Sequence, residues 1–210
     1  MSPVTAETAP PVRAPGWEMP ILAFEQVPPS SYFDSQAPVE IEIGCGKGRF
    51  LLARAAQCPD INFLGLDRAN KWMKIGKDRG EKRGLANLKF IRTECRDFLS
   101  RLQPETVSAF HMYFPDPWPK RRHQKRRTLC AEFLGLLNRL LVPGGCIQIA
   151  TDHADYFQEI RAAADWTAAF WRSRRESMNQ RLAHAEIKTN YELKYEAGGR
   201  PLYYLELVKQ

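Results

Sequence analysis

Short runs of strand-forming residues alternate with longer segments of helical spacing from residue 39 onward. The strand-forming runs are residues 39–43, 61–66, 88–92, 107–114, 145–150 and 202–208. The helical segments are residues 48–57, 69–83, 96–102, 126–142 and 153–169. Strands joined by helices form right-handed βαβ units, which build a parallel sheet covered by helices. The alternation therefore predicts an open, doubly wound α/β sheet that is mostly parallel, with residues 202–208 as an antiparallel edge strand.

The first 38 residues differ in composition from the rest of the chain. They contain eight of the fifteen prolines among the 210 residues. Because proline removes a backbone donor and disrupts regular helix, we expect residues 1–38 to form an arm that is largely extended or disordered. Residues 39–210 are numerous enough to enclose a hydrophobic core. The sequence thus predicts a single domain preceded by an arm.

The overall composition is 44% apolar and 26% charged, as in ordinary globular proteins. No apolar run approaches the roughly 18 residues that span a bilayer, and the first residues show neither the basic nor the apolar region of a secretory signal. The five cysteines are scattered without a CxxC pair, which favours reduced thiols over a disulfide framework or a zinc site. We therefore expect a cytoplasmic protein without a membrane span or a bound metal.

The positive charge is concentrated in one place. The chain has 31 Lys and Arg residues against 24 Asp and Glu, a formal charge of +7. A basic strip, residues 120–127, holds six of these bases and no acid. Its bases are Lys120, Arg121, Arg122, Lys125, Arg126 and Arg127. The 25 bases and 24 acids outside the strip nearly cancel, so the strip carries almost all of the net charge. We therefore expect a polyanion to bind there.

A glycine-rich segment stands where the first strand meets the first helix. Gly44, Gly46 and Gly48 allow a sharp turn and the close approach of a ligand beside a helix N-terminus. The dinucleotide-binding pattern needs a glycine at position 49, where Arg49 stands. Gly-x-Gly-x-Gly after an acidic residue inside the strand, here Glu42, is instead the usual form of S-adenosylmethionine sites. The sulfonium and ammonium groups of that cofactor favour nearby carboxylates.

Further acids follow the next two strands. Asp67 comes after the second strand, where a carboxylate can accept the protons of ribose hydroxyls. Glu94 and Asp97 come after the third strand and are both placed to meet the adenine edge. Each of these two could instead be a helix cap or a first-turn charge, and the residues alone leave both alternatives open.

Asp116 follows the fourth strand in a loop with three prolines in five residues. Such a loop is rigid and holds Asp116 at the carboxyl edge of the sheet, where ligands bind in open α/β folds. An ordinary turn residue is the alternative, but the cofactor turn on the same sheet favours a functional role. The basic strip follows at once, with Trp118 beside it and His123 inside it. We expect the strip to deliver a polyanion to Asp116.

Residues 39–208 resemble the bacterial tRNA (guanine-N7)-methyltransferases. The resemblance rests on EIGCGKG at 42–48, YFPDPWPKRRHQKRR at 113–127, ATDHADYF at 150–157 and TNYELKYEAGGRPLYYLEL at 189–207. Many methyltransferases share the first motif, whereas the second and fourth together are highly specific. The resemblance implies a Rossmann-like methyltransferase sheet that transfers methyl from S-adenosylmethionine to N7 of a guanosine in tRNA. The implied nucleotide is position 46 of the variable loop.

The resemblance also implies residue roles, carried over motif by motif. The implied cofactor contacts are Glu42, Gly44, Gly46, Gly48, Asp67 and Glu94. The resemblance favours Glu94 over Asp97 because Glu94 lies seven residues after Asn87, where the family has its acid. Asp116 is the catalytic acid, and Lys120 and Asp152 contact the substrate. A guanosine-binding loop is formed by Thr189, Asn190, Tyr191 and Glu192. RNA contacts fall to Arg121, Arg122, His123, Lys125, Arg126 and Arg127. The implied partner is tRNA. We expect no metal and no membrane partner, and the residues leave the monomer and the homodimer as open alternatives.

Two other interpretations stay open. An amino methyltransferase acting on adenine N6 or cytosine N4 also has an acid-Pro loop after the fourth strand. In those enzymes a second proline and an aromatic residue follow, whereas Trp118 follows Pro117 here. A basic RNA-binding domain with a vestigial cofactor pocket is the non-enzymatic alternative. That alternative predicts RNA binding that does not depend on Glu42 or Asp67.

Overall fold

Seven strands form one sheet in the computed structural model, which describes residues 26–184 and 186–210. The strands are β1 (Val39–Ile43), β2 (Asn62–Asp67), β3 (Leu88–Arg92), β4 (Val107–Tyr113), β5 (Leu141–Thr151), β6 (Trp171–Met178) and β7 (Tyr203–Lys209). Their order across the sheet is β3-β2-β1-β4-β5-β7-β6. The first five strands are parallel, and β7 pairs antiparallel with both β5 and β6. The predicted mostly parallel, doubly wound sheet is confirmed.

Six α-helices connect the strands within the described ranges. They are α1 (Arg49–Gln57), α2 (Asn70–Lys82), α3 (Cys95–Ser100), α4 (Ala131–Leu140), α5 (Ala154–Trp166) and α6 (Asn190–Ala197). The helix expected from residue 126 begins only at Ala131, because Arg121–Arg126 form a separate 3-10 helix. Short 3-10 helices also occur at Pro29–Tyr32 and Ala168–Phe170.

The sequence did not predict β6 or α6. Seven of the eight residues of β6 are polar or partly exposed, and Trp171 alone is buried. Such a strand lacks the apolar alternation that identifies strands, because it lies at the sheet edge and pairs only with β7. The true edge strand is therefore β6, and the predicted edge strand, β7, lies one position inside it.

The two faces of strand β1 differ in polarity, although apolar cores cover both faces of the sheet. Ile41 and Ile43 of β1 point into an apolar core with Phe110 and Phe133. The opposite face carries Glu40 and Glu42 from the same strand, both buried under α1 and its surroundings. The alternation along β1 therefore places an acidic residue next to the strand end on the polar face.

A buried hydrogen-bond network crosses the polar face from β1 to β4. The carboxylate of Glu40 pairs with Arg54 at 3.2 Å and with His111 Nε2 at 2.9 Å. His111 Nδ1 bonds the Tyr113 hydroxyl at 2.9 Å. Burial lowers the pKa of His111, so the ring is neutral and can use one nitrogen as donor and one as acceptor.

In the described part of the chain, no group of three His, Cys, Asp or Glu side chains could hold a metal ion.

The arm expected at residues 1–38 is only partly described, since residues 1–25 lie outside the described ranges. Residues 26–38 run along the domain. The Val27 N–H donates to the Arg101 carbonyl and the Val27 carbonyl accepts from Gln103, each at 3.1 Å, and Phe33 is buried. Within the described ranges no helix has the length and apolarity to cross a membrane. The division into arm and domain stays a prediction.

Asn87 joins α1 to the start of β2, and its loss should destabilise the fold. Its Nδ2 donates to the carbonyls of Ala55, Cys58 and Ile61 at 3.1, 3.0 and 2.9 Å. Asn87→Ala leaves these acceptors without their donor, so we expect the free energy of unfolding to fall by about 1–3 kcal/mol in urea denaturation. The exposed neighbour Lys89 provides the control, because Lys89→Ala should change it by less than about 0.5 kcal/mol. Equal values for the two variants would contradict the bridging role.

Candidate functional site

A glycine turn joins β1 to α1 at the carboxyl edge of the sheet. Gly44, Gly46 and Gly48 have φ of +77°, +53° and +67°, a region that other residues adopt only with strain. A Cβ atom on Gly48 would lie 2.5 Å from the Phe90 ring, whereas one on Gly44 or Gly46 would meet nothing within 4 Å. Gly48 therefore lets α1 pack closely, and the first two glycines leave backbone open to a ligand.

Asp67 holds the glycine turn against the end of β2. Its Oδ2 accepts from the Gly46 N–H and its Oδ1 from the Ala69 N–H, each at 2.8 Å. Each carboxylate oxygen keeps a second lone pair for a ligand, and the side chain is partly exposed. The structure thus brings Asp67 to the turn, and its contact with ribose stays a prediction.

Glu94 caps α3. Its Oε2 accepts from the Asp97 N–H at 3.1 Å, which is the geometry of a helix N-cap. The structure therefore shows the capping alternative for Glu94, with Asp97 in the first helical turn. Since capping leaves Glu94 at the carboxyl end of β3, its contact with adenine stays a prediction.

Glu42 is a buried carboxyl two residues before Gly44. The residue is 5% exposed, and its Oε2 has no hydrogen-bond partner among the described residues. Burial raises the pKa of Glu42 to about 8, with Arg181 opposing the rise and Asp67 and Glu192 adding to it. The group is therefore mostly neutral at pH 7, and a cation placed at Oε2 would favour the ionised form.

The loop after β4 carries Asp116 into solvent at the same edge. Phe114 and Trp118, on either side of Asp116, have φ of +54° and +42°. Such conformations cost about 1–3 kcal/mol each and persist only where neighbouring contacts hold them. One such contact is the Phe114 N–H, which donates to the Ala150 carbonyl of β5 at 2.7 Å. Strain of this kind is typical of functional loops.

Arg127 supplies a second contact that holds this loop. Its Nε donates to the Pro117 carbonyl at 2.7 Å, and its guanidinium pairs with Glu159 and lies 4.8 Å from the Tyr156 ring centroid. The residue is 7% exposed. Arg127 therefore differs from the exposed bases of the strip, because its side chain lies beneath the loop, and its contact with RNA stays a prediction. Arg127 fixes the backbone next to Asp116.

The other five bases of the basic strip are exposed beside the loop. They are Lys120, Arg121, Arg122, Lys125 and Arg126. The last four belong to the 3-10 helix Arg121–Arg126. The Arg126 guanidinium lies 4.9 Å from the Trp118 ring centroid, and His123 meets the same ring edge-on at 5.8 Å. The indole of Trp118 therefore connects the strip to the Asp116 loop.

The predicted guanosine-binding loop is the start of α6. The Thr189 hydroxyl accepts from the Glu192 N–H at 3.1 Å, and the Glu192 carboxylate accepts from the Thr189 N–H at 2.7 Å. This capping box satisfies two backbone donors at the helix end. Glu192 is 1% exposed and also pairs with Arg181 at 3.0 Å. Of the four predicted substrate contacts here, Asn190 and Tyr191 are exposed, whereas Thr189 and Glu192 are buried and hold the helix.

Helix α6 packs on the loop after β4. The Phe114 ring lies 5.9 Å from Tyr191 and 5.6 Å from Tyr195, centroid to centroid. At the end of β5, Asp152 pairs with Arg200 at 3.1 Å. The structure thus brings the glycine turn, the loop of Asp116, Asp152 and the start of α6 to one edge of the sheet.

A second basic surface lies on α2, outside the strip. Its six exposed bases are Lys71, Lys74, Lys77, Arg79, Lys82 and Arg83, against two acids, Asp78 and Glu81. Between α1, α2 and residues 186–190 runs a groove of about 340 Å³ lined by Arg49, Arg79 and Arg83. The near-neutral charge outside the strip concealed this cluster, because acids elsewhere in the sequence cancel it.

The chain is similar to methyltransferases in sequence and in fold. A family model described as "Putative methyltransferase" matches residues 36–205. The tRNA (guanine-N(7)-)-methyltransferase of Rubrobacter xylanophilus is 32% identical over 94% of this chain and 83% of its own length. That of Geobacillus kaustophilus is 32% identical over 84% of this chain and 82% of its own length. The solved 16S rRNA methyltransferase KamB matches with a TM-score of 0.60 at 17% identity, covering 86% of this chain and 90% of KamB.

The sheet order and the solved structures that match it show that the chain has the Rossmann-like fold of methyltransferases. The sequence relatives show the family within that fold, since several of them are about 30% identical to this chain and the matches extend over most of both chains. The chain belongs to the bacterial tRNA (guanine-N7)-methyltransferase family.

Glu42 should make the fold less stable as pH rises. Its pKa is about 8 in the folded protein against 4.5 for the ordinary group, so between these values the folded state binds a proton that the unfolded state lacks. The free energy of unfolding then falls with rising pH, by up to about 1.4 kcal/mol per unit from this group. Urea denaturation at about pH 5.5 and about pH 7.5 measures the fall, which Glu42→Gln should remove. An unchanged pH dependence in Glu42→Gln would show that another group titrates.

Proposed function

We propose that this protein transfers the methyl group of S-adenosylmethionine to N7 of a guanosine in tRNA. The observation that carries the proposal is the meeting of three features at one sheet edge. These are a glycine turn with a buried acid, a carboxylate on a strained loop, and exposed bases beside that loop. An enzyme acting on one base of a polyanion needs all three together. The resemblance implies position 46 of the variable loop and a place in the cytoplasm.

The residues around the glycine turn fit S-adenosylmethionine. Glu42 Oε2 lacks a partner among the described residues and suits an ammonium group. Gly44 and Gly46 leave room for close approach, while Asp67 and Glu94 stand at the next two strand ends for ribose and adenine. When bound, the cofactor supplies an electrophilic methyl group on a sulfonium. The chain's own task is to hold that group in line with the acceptor.

Guanine N7 carries a lone pair and no proton, so the transfer needs no general base. The protein must expose the base and hold it rigidly. Asp116 can accept hydrogen bonds from guanine N1–H and the 2-amino group, and its charge favours the cationic purine that forms. Tyr191 offers an exposed ring on which the base can stack. We assign Asp116 as the catalytic residue, and Lys120, Asp152, Asn190 and Tyr191 as substrate contacts.

Two alternative functions make different predictions. An amino methyltransferase would place methyl on adenine N6 or cytosine N4, and an RNA-binding domain would place none. Incubation with labelled S-adenosylmethionine and unmodified tRNA separates them. Under the proposal, reduction and aniline treatment cleave the product at 7-methylguanosine. Label in N6-methyladenosine or N4-methylcytidine, or tRNA binding without any label, would overturn it.

Replacing Asp116 tests its role in the same assay. Asp116→Ala should lower kcat by about 10²- to 10³-fold, because a preorganised group facing the developing charge is removed. Affinity for S-adenosylhomocysteine should be unchanged, since the side chain is exposed and the proposal assigns it to the base and not to the cofactor. Asp116→Asn is the matched control that keeps the size without the charge, and should retain part of the activity. Full turnover in Asp116→Ala would refute the assignment.

The neighbours Arg126 and Arg127 should affect different steps. Replacing Arg121, Arg122, Lys125 and Arg126 by Gln should reduce the slope of log K for tRNA against log salt by about 0.7–0.9 for each phosphate that is no longer bound. Arg127→Gln should leave the slope unchanged and lower kcat by about 10- to 100-fold, because the Asp116 loop loses its support. A slope lowered by Arg127→Gln would place Arg127 on RNA after all. An unchanged slope in the fourfold variant would make the strip a merely solvated surface.

A further inference from the structure

Arg181 is a buried arginine that no sequence motif indicated. It lies in the segment between β6 and α6, and its side chain is 6% exposed. Its guanidinium carbon lies 4.2 Å from the Tyr113 ring centroid and 5.2 Å from that of Phe50. Tyr113 ends β4 and Phe50 belongs to the first turn of α1. The charge is therefore held at the carboxyl edge, between the end of β4 and the glycine turn.

One half of this guanidinium is satisfied and the other is not. Nη1 donates to Glu192 Oε2 at 3.0 Å and to the Ile187 carbonyl. Nη2 is buried and makes no hydrogen bond of normal geometry with the described residues. The Tyr113 hydroxyl is near enough for the guanidinium to counter part of the rise that burial produces in its pKa, and its bond to His111 leaves oxygen lone pairs that can accept from a donor. A buried donor without a partner costs about 1–3 kcal/mol.

Glu42 has a buried acceptor atom that also lacks a hydrogen-bond partner. Its Oε2 is buried without a partner among the described residues, and Arg181 is the charge that most strongly lowers the pKa of Glu42 against the effect of burial. An acceptor and a donor, both unsatisfied and of opposite ionic character, therefore lie within electrostatic reach of each other. Both adjoin the turn at which Gly44 and Gly46 leave backbone open. The pair is arranged for a ligand that carries an ammonium and a carboxylate on one carbon atom.

We propose that Arg181 binds the α-carboxylate of the cofactor's amino-acid end, while Glu42 binds its ammonium. This inference rests on the cofactor assigned under the proposed function. The α-amino acid group carries its two charges on one carbon, so it satisfies both buried atoms at once. The adenosine half of the cofactor carries no charge that matches either group. Arg181 therefore selects ligands that retain the amino-acid end.

Ligand truncation tests this role without any measurement of turnover. Titration calorimetry compares S-adenosylhomocysteine with 5′-methylthioadenosine, which lacks the amino-acid end. Arg181→Met should weaken S-adenosylhomocysteine binding by about 10- to 100-fold, the effect expected from removing a hydrogen bond to a charged group. Binding of 5′-methylthioadenosine should change less than about twofold. Equal weakening of both ligands would mean that Arg181 only supports the fold, and unchanged binding of both would remove it from the site.

A second comparison keeps the proposal testable if Arg181→Met unfolds, which circular dichroism would reveal. Arg181→Lys keeps the charge but loses the forked donor. The decarboxylated analogue of S-adenosylhomocysteine keeps the ammonium and lacks the carboxylate. The wild-type protein should bind this analogue at least about tenfold more weakly than S-adenosylhomocysteine. In Arg181→Lys the ratio of the two dissociation constants should be smaller. The same ratio in both proteins would overturn the role of Arg181. Failure of the wild type to bind S-adenosylhomocysteine would overturn the cofactor assignment itself.

Discussion

The pairing of β1 with both β2 and β4 is the constraint on which the site depends. Glu42 lies opposite Gly65 of β2 and His111 of β4 in two parallel ladders. Parallel register brings the carboxyl ends of the three strands to one level. Everything that follows these ends therefore converges there, whatever its distance in sequence. Gly44 and Asp116 follow adjacent parallel strands and come to the same edge of the sheet for this reason, although 72 positions separate them.

The site concentrates features that weaken a fold. Phe114 and Trp118, which are not glycines, have positive φ. Burial raises the pKa of Glu42 to about 8, and both Glu42 Oε2 and Arg181 Nη2 are buried without a hydrogen-bond partner among the described residues. Each feature is costly by itself, and none is needed to close the apolar cores. Their location at one edge is the physical argument that ligands, rather than packing, account for them.

Local pattern made the strand–helix alternation, the glycine turn and the exposed position of Asp116 predictable, because each follows from residues close in the chain. Prediction failed where distant contacts decide. β6 becomes a strand only because β7 offers a partner, and the rings that surround Arg181 lie more than 60 residues away in sequence. The capping box was recognisable from the sequence, since Thr189 is followed three residues later by Glu192. The family motif directed attention to substrate binding, and the substrate contacts of these two residues stay predictions.

Arg126 and Arg127 show why charge counted along a sequence overstates a binding surface. Both belong to one run of bases, yet Arg126 is exposed on Trp118 and Arg127 is buried against Glu159 and Tyr156. The 3-10 helix ends between them, at Arg126, and the change in backbone direction turns the second side chain inward. The strip therefore exposes five of its six charges. The sixth holds the backbone next to Asp116 through the Pro117 carbonyl, and for that role burial is a requirement, because an arginine free to reach solvent could not hold a strained loop.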